Sequence, residues 1–343
     1  VVGGNFSPDG SRISLLNYLG QVFSFQVETG KPALPVAGRP GYAHGEPGGL
    51  RYAPDGSVFA CPGWDKATIR IWDAASGEEL HALRLPGPVS SFDLSPDGSF
   101  LVTATRGFPG SVQTWNLQTG ERVSPPIVQE GPVAMVRFSP DSKFLVTGSW
   151  DHVARVWEVA SGEPVSSAMR HSAPLQSVEF HPSRRLVVTG CVDGTVRVWA
   201  FPTEPIPAAT LSPEGRLEHL AFERGGSRLL TSNSAGELRL WNRDAERTFS
   251  QLEKMSVAGS GPSFIPPEAL WPFLDHEPVV QFWDLVRQLQ NPDASHRPDW
   301  AVQNAGLPRV ALNPERTRAV VLYTTLSQSR FQVFDLVAST ALA

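Results

Sequence analysis

An all-β fold assembled from repeated four-stranded units is the fold class this sequence predicts, and three observations predict it. A motif of one apolar residue followed by a Ser-Pro-Asp-Gly-like turn recurs along the chain. An aromatic residue, usually Trp, follows each copy at a nearly constant distance. No stretch of convincing length carries the 3.6-residue periodicity of an amphipathic helix; the one short candidate covers residues 285–289.

Aligned on the apolar residue before the turn, eight copies stand out, anchored at Phe6, Tyr52, Leu94, Phe138, Phe180, Phe222, Phe264 and Leu312. Their spacings are 46, 42, 44, 42, 42, 42 and 48 residues. The turn is SPDG at Ser7 and Ser95, APDG at Ala53 and SPDS at Ser139. It decays through HPSR at His181, ERGG at Glu223 and IPPE at Ile265 to NPER at Asn313. Proline pre-sets the first corner of such a turn and Asp-Gly completes it. Some 19 to 22 residues after each anchor stands Phe25, Trp72, Trp115, Trp157, Trp199, Trp241, Trp283 or Phe334. Six of the ten tryptophans thus share one place in the repeat, which chance does not produce. A further turn ends in Gly30, Gly77, Gly120 or Gly162, and a fourth strand follows. A unit of about 43 residues with four short strands is one blade of a β-propeller. Residues 1–343 therefore read as a single propeller domain of four-stranded antiparallel blades, eight in number. The alternative is a ring of seven with the divergent last copy packed outside it.

Residues 143–163 are the best-preserved copy. Phe144 to Thr147 and Val153 to Trp157 read as strands joined by Ser149-Trp150-Asp151-His152. Val153 and Trp157 face one side, Ala154 and Val156 the other. A hairpin apolar on both faces needs a sheet packed on each side, so blades three and five are expected to cover it.

Composition excludes several function classes. Net charge is −5 with no basic run, which argues against nucleic acid as a partner. No apolar run approaches the ~18 residues of a membrane helix, so no membrane partner is expected. Cys61 and Cys191 lie 130 residues apart, without metal-ligand spacing, and read as buried free thiols of a cytoplasmic protein. The chain begins with Val and reads as a segment of a longer polypeptide. The eight histidines show no HxH or HExxH pattern, and GxSxG, GxxxxGK[ST] and GxGxxG are absent. No catalytic residue, metal or cofactor is expected, and the chain reads as a non-enzyme.

The repeated wording resembles the WD-repeat (WD40) β-propeller family over essentially the whole chain. The matching residues include the Trp-Asp pairs Trp72-Asp73 and Trp283-Asp284, with Trp157-Glu158, Trp115-Asn116 and Trp241-Asn242 as close variants. The phrasing is most similar to bacterial WD-repeat modules of larger signalling proteins, including serine/threonine kinases. The resemblance implies a network inside each blade: a His before the first strand bonds the Asp of the turn between strands two and three. That Asp in turn bonds a strand Ser or Thr and reaches the Trp. Only copy five has the full set, His171, Thr189, Asp193 and Trp199. Copies two and four keep Asp65 with Trp72 and Asp151 with Trp157. Polar networks elsewhere should be incomplete.

The family's geometry also implies that the residue before the turn Asp points to one rim of the ring. On that rim the resemblance places Tyr18, Trp64, Phe108 and Trp150 as an aromatic arc over copies one to four, with Val192 and His276 further round. It adds the second residue of each innermost strand, Ser90, Ala134, Gln176 and Glu218. Large aromatics with polar neighbours are what binding hot spots are made of. The function implied is a non-catalytic scaffold, monomeric as a domain, on whose face a protein or peptide docks. A sensor of an attached signalling enzyme is the alternative. A dehydrogenase, lactonase or hydrolase propeller is the third reading, disfavoured because the innermost strands offer no matching set of carboxylates or histidines.

Overall fold

Each repeat builds its own antiparallel sheet, in chain order from strand to strand. The computed structural model describes residues 3–17, 21–35, 49–63, 65–183, 185–201, 207–211, 215–222, 226–234, 237–243, 249–256, 309–312, 318–324, 329–335 and 340–341. Copy one forms β1 Gly3–Phe6, β2 Arg12–Leu16 and β3 Val22–Gln26. Copy two forms β4 Arg51–Tyr52, β5 Val58–Pro62, β6 Thr68–Asp73 and β7 Glu79–Arg84. Copy three forms β8 Val89–Leu94, β9 Phe100–Thr105, β10 Gly110–Asn116 and β11 Ile127–Gln129. Copy four forms β12 Val133–Phe138, β13 Phe144–Ser149, β14 Val153–Glu158 and β15 Met169–Arg170. Copy five forms β16 Leu175–Phe180, β17 Leu186–Cys191, β18 Val196–Ala200 and β19 Pro207–Leu211. Copy six forms β20 Leu217–Phe222, β21 Arg228–Asn233, β22 Glu237–Arg243 and β23 Phe249–Ser256. Copy eight forms β24 Arg309–Leu312, β25 Arg318–Thr324, β26 Ser329–Asp335 and β27 Thr340–Ala341. Among the described residues there are thus seven sheets, and the architecture is that of propeller blades. Phe264, His276 and Trp283 of copy seven, and the helix candidate at 285–289, lie outside the described residues, so the eighth blade position rests on them.

The first strands of the sheets run side by side in the order β24, β1, β4, β8, β12, β16, β20. Copy eight therefore meets copy one. The anchors end these inner strands, and Phe6, Phe138, Phe180 and Phe222 are buried there.

The hairpin of copy four is covered on both sides, as its two apolar faces require. Leu145 and Trp157 pack with Val102, Ala104 and Val112 of blade three. Val146, Ala154 and Val156 pack with Leu175, Val178 and Trp199 of blade five. Burying such side chains is worth about 1.5–3 kcal/mol each, which is why no blade stands alone. The approach is close enough to demand glycine. A Cβ on Gly148 would lie 2.6 Å from Val178 Cγ1, and one on Gly190 2.0 Å from Leu217 Cδ2. At the same place blade three carries Ala104, so its contact with blade four leaves room for a methyl group.

Inner-strand side chains also close backbone groups between blades. Asp93 Oδ2 accepts Phe138 N at 3.0 Å, Glu179 Oε2 accepts Phe222 N at 3.2 Å, and Ser91 Oγ accepts Val136 N at 3.3 Å. Arg51 Nη1 lies 3.4 Å from Asp93 Oδ1. Where the innermost strands of blades four and six carry Arg137 and Ala221, those of blades three and five carry the carboxylates Asp93 and Glu179. Those two satisfy the exposed edge of the next strand, an edge that would otherwise be left unpaired.

On the rim away from the aromatic arc, the Ser-Pro-Asp-Gly turns lock themselves. Ser95 Oγ donates to Asp97 Oδ1 at 2.6 Å, and Ser139 Oγ does the same to Asp141. Ser142 takes the left-handed conformation (φ 60°) that its neighbours give to Gly10, Gly56 and Gly98. Its hydroxyl accepts Asp97 N of blade three at 3.1 Å, which offsets the strain.

Candidate functional site

The turn between strands two and three is tied to the start of its own blade in the same way in four copies. Arg106 N, Trp150 N, Val192 N and Ser234 N donate to the carbonyls of Pro88, Pro132, Pro174 and Arg216, at 2.9 to 3.0 Å. These four residues therefore share one rim position, held by the backbone. Phe108 is not the counterpart of Trp150, since the longer turn of copy three puts Arg106 there. Phe108 stands two residues further on and is 81% exposed, while Trp150 is 47% exposed. Tyr18 and Trp64 lie outside the described residues.

The second residue of the inner strand is a bulge in four copies. The register shifts between Val89 and Ser91, Val133 and Met135, Leu175 and Ser177, and Leu217 and His219. Bulges re-aim a side chain out of the ladder. Ala134 and Gln176 are half-buried at this position. Ser90 does not reach the face; it is fully buried with its hydroxyl unpartnered.

Beneath the rim, one hydrogen bond recurs in four blades. The indole N–H of Trp115, Trp157, Trp199 and Trp241 donates to the hydroxyl of Thr103, Thr147, Thr189 and Thr231, at 2.7 to 2.9 Å. The Thr–Trp half of the network thus survives in copies three and six, which lack the turn Asp. In copy two the register puts Cys61 in place of the Thr. Trp72 Nε1 faces that sulfur and finds no oxygen or nitrogen partner. Replacing Cys61 by Thr should supply the missing acceptor and raise stability by about 0.5–1.5 kcal/mol in chemical denaturation. A loss instead would mean the extra methyl does not fit.

Copy five differs from its expected form. His171 Nε2 lies 2.8 Å from Thr189 Oγ1, but Nδ1 lies 2.7 Å from Cys191 Sγ rather than on Asp193. Asp193 instead accepts Ser172 Oγ at 3.0 Å and Thr195 N at 2.9 Å. Cys191 comes first along the strand and fills the space behind the imidazole, leaving the carboxylate to its own exposed turn. Burial, with Arg197 nearby, lowers the His171 pKa to about 4. Burial and the Asp193 charge push the Cys191 thiol up to about 12. The thiol therefore donates to a neutral imidazole, whose other N–H donates to Thr189, which donates to Arg197 O at 3.3 Å. Burial works against ionisation of Asp193, yet its bonds to Thr195 and Ser172 outweigh that and its pKa falls. In copies two and four the turn Asp holds the start of strand three: Asp65 takes Thr68 Oγ1 and Ala67 N, and Asp151 takes Val153 N. At the His position of copy four, 42 residues before His171, stands Gln129, buried with neither amide atom partnered.

These residues bring together an exposed aromatic, a half-buried amide and a rigid backbone, with the polar network as support. Among the described residues no three His, Cys, Asp or Glu side chains gather as metal ligands would. No helix among them is long and apolar enough to cross a membrane.

Comparison with known proteins agrees with this geometry. The profile of the family described as WD domain, G-beta repeat matches residues 77–116, 127–158 and 162–200. Each match runs from an outer strand through three strands of the next sheet, so each sequence repeat joins two blades. The chain is 32% identical over 105 residues to the periodic tryptophan protein 2 homolog of Schizosaccharomyces pombe. That match covers 30% of this chain and 12% of the yeast protein. WD40 repeats in general build protein–protein interaction scaffolds, typically without catalysis. In its blades, its Thr–Trp bonds and these three matched segments, the chain is similar to WD40-repeat proteins.

Proposed function

We propose that this chain is a non-catalytic scaffold on whose rim a protein or peptide docks around Trp150, with Phe108 and Gln176 beside it. One observation carries the reading: Trp150 is 47% exposed although its backbone is pinned to Pro132, whereas the repeat tryptophans of blades two to six are buried. A rigid turn that holds an indole in water does nothing for folding that a smaller residue would not do. Tyr18 and Trp64 stand at the matching positions of copies one and two in the sequence. The net charge of −5 and the two buried thiols suit a monomeric cytoplasmic module that needs neither nucleic acid nor a membrane.

Trp150→Ala tests this. Unfolding free energy should change by less than about 1 kcal/mol, as for surface substitutions generally. A protein captured from extract by the immobilised wild-type ring should be lost on the variant. Several kcal/mol of destabilisation with an unchanged captured set would make Trp150 a cover for its own blade.

A further inference from the structure

Copies four and five differ at one buried place, where copy five has an imidazole and copy four a primary amide. Gln129 is the counterpart of His171, 42 residues earlier in the chain. The registers agree. Ser111 pairs with Val128 and Gly110 with Gln129 in blade three, as Val153 pairs with Arg170 and His152 O accepts His171 N in blade four. Gln129 also looks towards blade four. Ile127, two residues before it on β11 and so on the same side, packs with Leu145 and Trp157, while Val128 between them is exposed.

His171 closes its site directly, with Nε2 2.8 Å from Thr189 Oγ1 and Nδ1 2.7 Å from Cys191 Sγ. The matching groups in copy four are Thr147 and Ser149. Gln129 is 2% exposed, yet neither its Oε1 nor its Nε2 has a protein partner. Thr147 accepts the Trp157 indole at 2.9 Å, its one side-chain bond among the described residues. Thr103, Thr189 and Thr231 each also pass their hydroxyl proton to a strand-three carbonyl, of Gln113, Arg197 and Arg239. Ser149 Oγ donates to Pro132 O and accepts Asp151 N, which leaves it one lone pair. Copy four thus gathers an amide acceptor, amide donors and a hydroxyl donor, all buried and all unmet, where copy five has a ring.

From this we infer that copy four binds one ordered internal water in the place that the imidazole takes in copy five. The water accepts from Gln129 Nε2 and from the Thr147 hydroxyl, and it donates to Gln129 Oε1 and Ser149 Oγ. Internal waters make about three hydrogen bonds to buried polar groups that the protein leaves unsatisfied, and four are offered here. Donors and acceptors without a formal charge suit a small molecule that does both, rather than an ion. Ser149 precedes Trp150, so the water ties β11 of blade three to the turn that carries Trp150. In copy five the same tie, to the turn that carries Val192, is made by protein atoms alone.

High-resolution crystal structures of the whole protein and of Gln129→His, with oxygen-17 relaxation dispersion of both in solution, test this. The wild type should show a water bonded to the Gln129 amide and to Thr147. In Gln129→His the ring should stand within about 3 Å of Thr147 Oγ1 without a water between them. The relaxation amplitude should fall by one long-lived water. Gln129→Met, close to glutamine in volume but apolar, should lose the same water, and Leu80→Ser, on the outer strand β7, should keep it. Unfolding midpoints show that each variant is folded. A wild-type crystal in which the Gln129 amide bonds directly to Thr147, Ser149 or Asp151 would overturn the inference. So would a relaxation amplitude equal in the wild type, Gln129→His and Gln129→Met.

Discussion

Trp199→Ala is expected to cost about 3–5 kcal/mol of unfolding free energy, as for a large aromatic removed from a packed core. Trp199 is 1% exposed, donates to Thr189 and meets the His171 ring edge-on with centroids 5.5 Å apart. The informative comparison is Trp115→Ala. From the sequence, the network of copy three is expected to be incomplete, because that copy lacks the His and the turn Asp. The structure gives it the same indole bond to Thr103 and places Arg122 5.6 Å over its ring. The two substitutions should therefore differ by only about 1 kcal/mol, the worth of one net hydrogen bond, with Trp199 the larger. Chemical denaturation of both variants decides this. A clearly larger loss at Trp115 would refute a stabilising role for the His171 network.

The second large effect is acid sensitivity centred on His171. Its folded-state pKa is about 4 against an ordinary 6.5, because burial and Arg197 disfavour the charged ring. The neutral form is the folded form. Its contribution is therefore full above pH 6.5 and is lost as pH falls from 6.5 towards 4. In that window the unfolded chain takes up a proton that the folded one refuses. The loss amounts to about 3 kcal/mol at most. Protonation would also require Nδ1 to find an acceptor other than the Cys191 thiol, and Asp193 is the nearby carboxylate. His171→Gln, which installs the residue found at 129 in copy four, should flatten this window. Unfolding curves at pH 7, 5.5 and 4.5 for both proteins check it. Asp9, Asp73 and Asp97 have lowered pKa values, so their contributions disappear at lower pH in both proteins alike. An identical pH dependence in the two proteins would mean that His171 titrates normally.

The repeat made much of the fold legible. Anchors such as Phe138 and Phe180 mark the ends of inner strands, and the aromatic 19 residues on marks strand three, because both must be buried in every blade. The site was legible only in part. Trp150 stands out as a candidate because it breaks the repeat while standing next to the turn Asp. Phe108 was misplaced because turn length cannot be aligned without the Arg106 N to Pro88 O bond that sets the register. Ser90 and Gln176 are equivalent in sequence, yet one is buried and the other half-exposed, since burial depends on the neighbouring blade. Asp93 and Glu179 passed unnoticed because their partners are backbone N–H groups about 43 to 45 residues away. The only clue was their shared place just before the anchor.

What the amino-acid sequence determined by itself was the unit: four short strands, a locked turn, and a Trp that must be buried on a blade apolar on both faces. Those properties are local, set by periodicity, turn chemistry and hydrophobicity, and they hold wherever the unit sits. Tertiary structure decided which atoms meet between units. It set Cys191 rather than Asp193 behind His171 and put a thiol where copy two needs a hydroxyl. It packed Gly148 and Gly190 hard against the next blade while allowing Ala104. Each of these is a contact between residues distant in the chain, fixed to a few tenths of an ångström by close packing, and no local pattern encodes such distances.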